Sequence, residues 1–148
     1  MEGEGFMKDR RIKICSACLL GIKCRYDGKV KRYRKVIELS RKEILIPACP
    51  EQLGGLPTPR EPAQRQGRKV VTKSGRDVSA SFSLGAGQVL KIAKMNGVKE
   101  AILKQRSPSC GCGQIYDGTF TKTVIKGDGV TAALLKKNGI KVMTEEDL

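Results

Sequence analysis

Six cysteines and a complete absence of histidine define the chemistry open to this chain of 148 residues. Cys15-Ser16-Ala17-Cys18 is a C-x-x-C, Cys24 follows six residues later, Cys49 precedes Pro50-Glu51, and Cys110-Gly111-Cys112 is a C-x-C. Without histidine there is no Ser-His-Asp or Cys-His catalysis and no His-ligated zinc or haem. Glu, Asp, Lys, Tyr, Ser and Cys are left to move protons or bind metal. No long apolar stretch opens the chain, so the cysteines read as metal ligands or reactive thiols of a reducing, cytoplasmic compartment rather than as a disulfide framework. Some of them fit equally as buried small hydrophobes, Cys15 above all.

A four-thiolate zinc site is disfavoured, because zinc ribbons and fingers separate their ligand pairs by roughly 12 to 20 residues, whereas about ninety lie between Cys18 and Cys110. A thioredoxin-like pair at Cys15 and Cys18 lacks a helix starting after the motif. Three thiolates from three separate segments suit a cubane iron-sulfur cluster instead, with one iron left open as a Lewis acid. Cys24 and Cys112 are alternatives for a fourth ligand, which would close that position.

The elements around these residues alternate between strand and helix. Residues 11–15 read as a first strand, 31–41 as a helix of imperfect period, and 43–46 as a strand buried on both faces that ends at Pro47. Residues 52–77 concentrate Gly, Pro and Arg, with only Val70-Val71 as a strand candidate, and read as a long loop or a small hairpin. A helix capped by Ser79 or Ser81 runs to about Asn96, then come a strand over 99–104, a Gly-rich hairpin-like stretch, a helix over 130–137 and a last strand over 140–143. Residues 1–9 read as a flexible N-terminus and 10–148 as one domain. This pattern predicts an α/β fold with a parallel or mixed sheet flanked by helices. Cys18, Cys49 and Cys110 each follow a strand, and in such folds ligands gather beyond the carboxyl ends of the strands, so the three are expected to converge there.

Lys and Arg number 29 against 15 Asp and Glu, a formal net charge of +14. Polyanions are natural partners for such a chain, although a high content of Lys, Arg and Glu also fits a thermophilic source. No apolar run approaches the roughly 18 residues that a membrane span needs. Aromatic residues make up 4% of the chain, which makes stacking platforms for single strands scarce.

The runs Ser16-Ala17-Cys18-Leu19-Leu20-Gly21, Arg25-Tyr26-Asp27-Gly28, Cys49-Pro50-Glu51 with Gly54-Gly55-Leu56-Pro57-Thr58-Pro59-Arg60, Ser107-Pro108-Ser109-Cys110-Gly111 and Tyr116-Asp117-Gly118-Thr119-Phe120 resemble the signature of the 2-thiouracil desulfidase family, in the family's order and across nearly the whole chain. The resemblance implies a four-iron four-sulfur cluster held by Cys18, Cys49 and Cys110, with Glu51 and Ser107 as catalytic side chains. It also implies non-redox removal of sulfur from a thiolated pyrimidine, the sulfur bound to the unique iron while water attacks the thiocarbonyl carbon. Relatives carrying an added domain imply 4-thiouridine in tRNA as an alternative substrate.

The residues themselves leave other roles open. Glu51 serves as general base or as a partner for an arginine such as Arg60. Ser107 donates a hydrogen bond to the base ring or caps a turn before Pro108. Tyr26 and Tyr116 stand either at hairpin corners or against a pyrimidine, and Arg60 and Arg65 are candidates for a phosphate or carboxylate. A reading of another class is a basic nucleic-acid-binding module whose cysteines hold a structural metal or nothing. Replacing Cys110 by Ser separates the two, since only an enzyme loses activity while keeping its fold.

Overall fold

The computed structural model describes residues 11–148. The flexible N-terminus expected over residues 1–9 lies outside the described residues. Four parallel strands form the central sheet: β1 (Ile12–Ser16), β2 (Ile44–Ala48), β5 (Glu100–Leu103) and β8 (Lys141–Thr144), in the order β2-β1-β5-β8. Helix α1 (Arg34–Ser40) connects β1 to β2, the short α2 (Pro50–Leu53) leaves β2, α3 (Ser79–Met95) precedes β5, and α4 (Val130–Lys137) precedes β8. Two antiparallel hairpins are inserted, β3 (Ala63–Gln66) with β4 (Lys69–Thr72) and β6 (Gln114–Tyr116) with β7 (Val124–Lys126).

Period-2 alternation divides the core between the two faces of the sheet. Ile14, Ala101 and Leu103 pack with Val89 and Ala93 of α3 and Ala132 and Leu135 of α4. Their neighbours Cys15 and Ile102 point the other way, onto Leu19, Val36 and Leu39. The middle strands are therefore covered on both sides, as parallel strands require. Phe82, Ala86, Val89 and Ala93 line one face of α3 at helical spacing, each buried. A third cluster, Val70, Val78 and Phe82, seats the first hairpin on α3.

Two expectations need correction. Residues 43–46 do not form a strand buried on both faces: β2 is an edge strand of mostly half-buried residues, and it runs through Pro47 to Ala48. The proline is tolerated because its missing N–H falls in an edge strand, where the ladder has an open side. Neither Ser79 nor Ser81 caps α3; both lie within the helix, and Val78 stands at the cap position. The Ser79 hydroxyl instead accepts a hydrogen bond from the Val70 amide at 2.8 Å, tying β4 to the start of the helix.

Candidate active site

Each of three strands runs into a segment that carries a cysteine. β1 turns into a short 3₁₀ helix (Ala17–Leu19) bearing Cys18, β2 passes directly into Cys49 and α2, and β5 leads into the turn that carries Cys110. These three line one cavity of about 530 Å³, together with Cys24, Glu51 and Ser107. The expected convergence of Cys18, Cys49 and Cys110 is thus observed, at the end of the sheet where open α/β folds bind ligands. The other two thiols lie elsewhere. Cys15 is fully buried in the core, its thiol pushed up to about 12 by burial, and Cys112 donates to the Val142 carbonyl at 3.7 Å.

The thiols differ in their electrostatics. Cys24 lies within hydrogen-bonding reach of both Cys18 and Cys49. Its S–H favours their thiolates, holding Cys18 below the ordinary thiol range and bringing Cys49 down to about 7, while Cys24 itself is raised. Burial pushes Cys110 up to about 12, opposed by the Ser16 hydroxyl, which donates to its sulfur at 3.4 Å. Ser16 also accepts the Lys104 amide at 3.0 Å, so one hydroxyl joins the ends of β1 and β5 beneath the cavity. The Lys104 ammonium is held by Glu145 at 3.0 Å and the Gln105 carbonyl at 3.1 Å, at the cavity wall. Ser16, Lys104 and the placement of Cys24 were not picked out from the sequence, because nothing in their spacing sets them apart.

Glu51 occupies the first turn of α2, two residues beyond Cys49. Its Oε1 accepts from the Arg60 Nε at 3.0 Å, which is the arginine pairing anticipated as one alternative. Arg60 also donates to the carbonyls of Pro57 and Cys24, at 3.1 and 2.9 Å. It therefore ties the Cys24 segment to α2 at the cavity wall. Arg65 donates to the Asp128 carbonyl and does not line the cavity. Ser107 accepts from the amides of Ser109 and Cys110, both at 3.1 Å, the turn-capping role anticipated for it. Both bonds use its oxygen lone pairs, which leaves the O–H hydrogen to donate into the cavity. Tyr26 and Tyr116 both line the cavity.

The donor set fits an iron-sulfur cubane. Soft sulfur donors from three loops face a common space, and the chain offers no imidazole to compete. Among the described residues no group of three or more His, Cys, Asp or Glu is placed to hold one metal ion. The cubane instead distributes its ligands over several irons.

The family of 2-thiouracil desulfurases matches residues 14–147 of this sequence, and the chain belongs to that family. The uncharacterized protein YbbK of Bacillus subtilis (strain 168) is 45% identical over 145 residues, covering 91% of this chain and 96% of that protein. Among solved structures, the [4Fe-4S]-dependent thiouracil desulfidase TudS superposes with a TM-score of 0.84 at 45% identity, over 94% of this chain and 93% of its own. No helix among the described residues is long and apolar enough to cross a membrane.

Proposed function

We propose that this chain removes sulfur from a thiolated pyrimidine, a 2-thiouracil-like base or nucleoside, by hydrolysis without net redox change. The observation that carries the reading is the meeting of Cys18, Cys49 and Cys110, from three separate loops, in one cavity with Glu51 and Ser107. A four-iron four-sulfur cluster held by those three cysteines would supply an open iron that attracts a soft thiocarbonyl sulfur and leaves its carbon electron-poor.

The remaining steps belong to side chains. Glu51 acts as general base on the water that attacks the carbon, its carboxylate oriented through Oε1 by Arg60. Ser107 donates its hydroxyl hydrogen to a heteroatom of the ring, while its oxygen keeps the Cys110 turn in place. Lys104 adds positive charge beside the thiolates. One water enters, its oxygen replaces the sulfur on carbon, and sulfide leaves with the two protons, so atoms and electrons balance. An oxidation-sensitive cluster would be kept intact by a reducing cytoplasm, which supports that compartment for the protein.

The test is anaerobic purification and iron-sulfur reconstitution, with iron and sulfide counts and the loss of 2-thiouracil absorbance. About four irons per chain together with turnover supports the proposal; reconstitution that repeatedly yields no cluster sinks it. A second reading takes 4-thiouridine in tRNA as substrate, favoured by the exposed Lys73 and Lys122 on the cavity lining. That reading expects desulfuration of thiolated tRNA to fall steeply with added salt, since lysine contacts to phosphate release counterions.

A further inference from the structure

The cavity wall is unusually aromatic for this chain. The sequence holds three Tyr, three Phe and no Trp, and Tyr26, Tyr116 and Phe120 all line the cavity. Phe120 is also held in a backbone conformation that a bulky residue rarely adopts, with φ of 59°. The other non-glycine residues with positive φ among those described, Arg106 and Lys122, line the same cavity. Such conformations persist only where the surroundings over-determine them.

Those surroundings are visible. The side-chain oxygen of Gln64, on β3, accepts both the Phe120 amide at 3.1 Å and the Gly118 amide at 3.0 Å. Gln66 donates to the Gly118 carbonyl at 2.9 Å. Gly118 sits so close to β3 that a Cβ there would lie 2.6 Å from Gln66 Cγ and 2.7 Å from the Arg65 carbonyl oxygen. Across the turn, Asp117 accepts from the Thr119 amide and hydroxyl, and Thr119, Thr121 and Thr123 bond in series. The segment between β6 and β7 is thus bolted to the first hairpin, with Phe120 set at the cavity.

We infer that Phe120 is the platform on which the substrate's planar ring stacks, and that Gln64 is the positioning residue that holds it there. This rests on the proposed desulfidase reading and adds a selectivity to it: a thiocarbonyl within an aromatic ring is favoured over the same group in an acyclic thiourea. Stacking is tolerant of ring substituents because every base presents a π-face. It therefore selects the class of ring and leaves the choice among pyrimidines to hydrogen bonds.

Phe120→Gly keeps the backbone conformation and deletes the ring, so it is the variant of choice, with circular dichroism to confirm the fold. Calorimetry with 2-thiouracil should show binding weakened roughly ten- to a hundredfold, and the preference for 2-thiouracil over thiourea should shrink by a similar factor. Gln64→Leu should raise KM with kcat largely kept, and Gln64→Glu, which retains the acceptor, should restore it. Unchanged 2-thiouracil binding in Phe120→Gly, or wild-type turnover of thiourea equal to that of 2-thiouracil, overturns the platform while leaving the desulfidase intact. A wild type that binds 2-thiouracil through Phe120 without consuming it sinks the desulfidase and keeps the platform; one that neither binds nor consumes it sinks both.

Discussion

The two ends of the central sheet are built on opposite principles, although the same strands supply both. At the amino end the buried Lys13 ammonium meets both carboxylate oxygens of Glu43 at 2.8 Å and Glu100 at 3.3 Å, with Arg11 3.9 Å from Glu100. Charges there are matched and packed. At the carboxyl end, three residues further along β1 and just past it, Ser16 and Cys18 face an open cavity among thiols that do not close on one another. One end ties strands together, and the other leaves free thiols lining a cavity. The difference teaches that in this fold stability and chemistry are separable along a single strand of five residues.

The largest effect should come from the carboxyl end. Cys110→Ser is expected to abolish the visible absorption of the reconstituted protein and to lower turnover more than about a hundredfold, while thermal unfolding moves by only about 1–2 kcal/mol. Collapse of the fold would break the comparison by making Cys110 a structural residue.

Next comes Gly85→Ala, within α3. A Cβ at Gly85 would lie 1.8 Å from the Pro50 carbonyl oxygen, so the methyl group must push α2 away and carry Glu51 and Cys49 with it. A loss of about 3 kcal/mol is expected together with impaired turnover, measured by denaturant melts and the thiouracil assay. Loss of stability alone would show that α2 can shift without disturbing the site.

Lys13→Met tests the amino end. It removes the ammonium shared by two partly solvated carboxylates and should cost roughly 2–3 kcal/mol, less than for a fully buried pair, with kcat unchanged. A drop in kcat at retained fold would mean that the two ends are coupled.

The smallest effect is expected from Glu146→Gln. A hydrogen bond from Arg106 holds the Glu146 carboxyl below its ordinary range, so its contribution to stability is present above that range and fades as pH falls through the lowered value. Because Glu146 is largely solvated, the change should stay below about 1 kcal/mol. The urea midpoints of variant and wild type should differ near neutral pH and converge in acid.

Much of the site was legible in one dimension because its residues sit in short, chemically distinctive runs. Cys18, Cys49 and Cys110 were each recognisable as lying in a segment that follows a strand, and the Glu51–Arg60 pair and the Ser107 turn were foreseen as alternatives to catalytic roles. Cys24 was less legible, since nothing local distinguishes a fourth cavity thiol from an idle one. Ser79 misled, because a serine before an apolar period reads as a cap, whereas its hydroxyl is used by β4. The segment before Pro47 misled for a similar reason: an apolar run does not reveal whether its strand lies at the edge of a sheet or in the middle.

The sequence by itself determined the alternation of strands and helices, the candidate ligands and the family, since periodicity and motifs are properties of neighbouring residues. Only the tertiary structure decided the strand order, which brings Cys18 and Cys49 from neighbouring strands to Cys110, 92 and 61 positions on. It alone decided that Gly85 is where α3 admits the Pro50 carbonyl, and that a glutamine on one hairpin sets a phenylalanine on another. Contacts between distant segments depend on how whole elements pack, and packing is settled by shapes that no local pattern encodes.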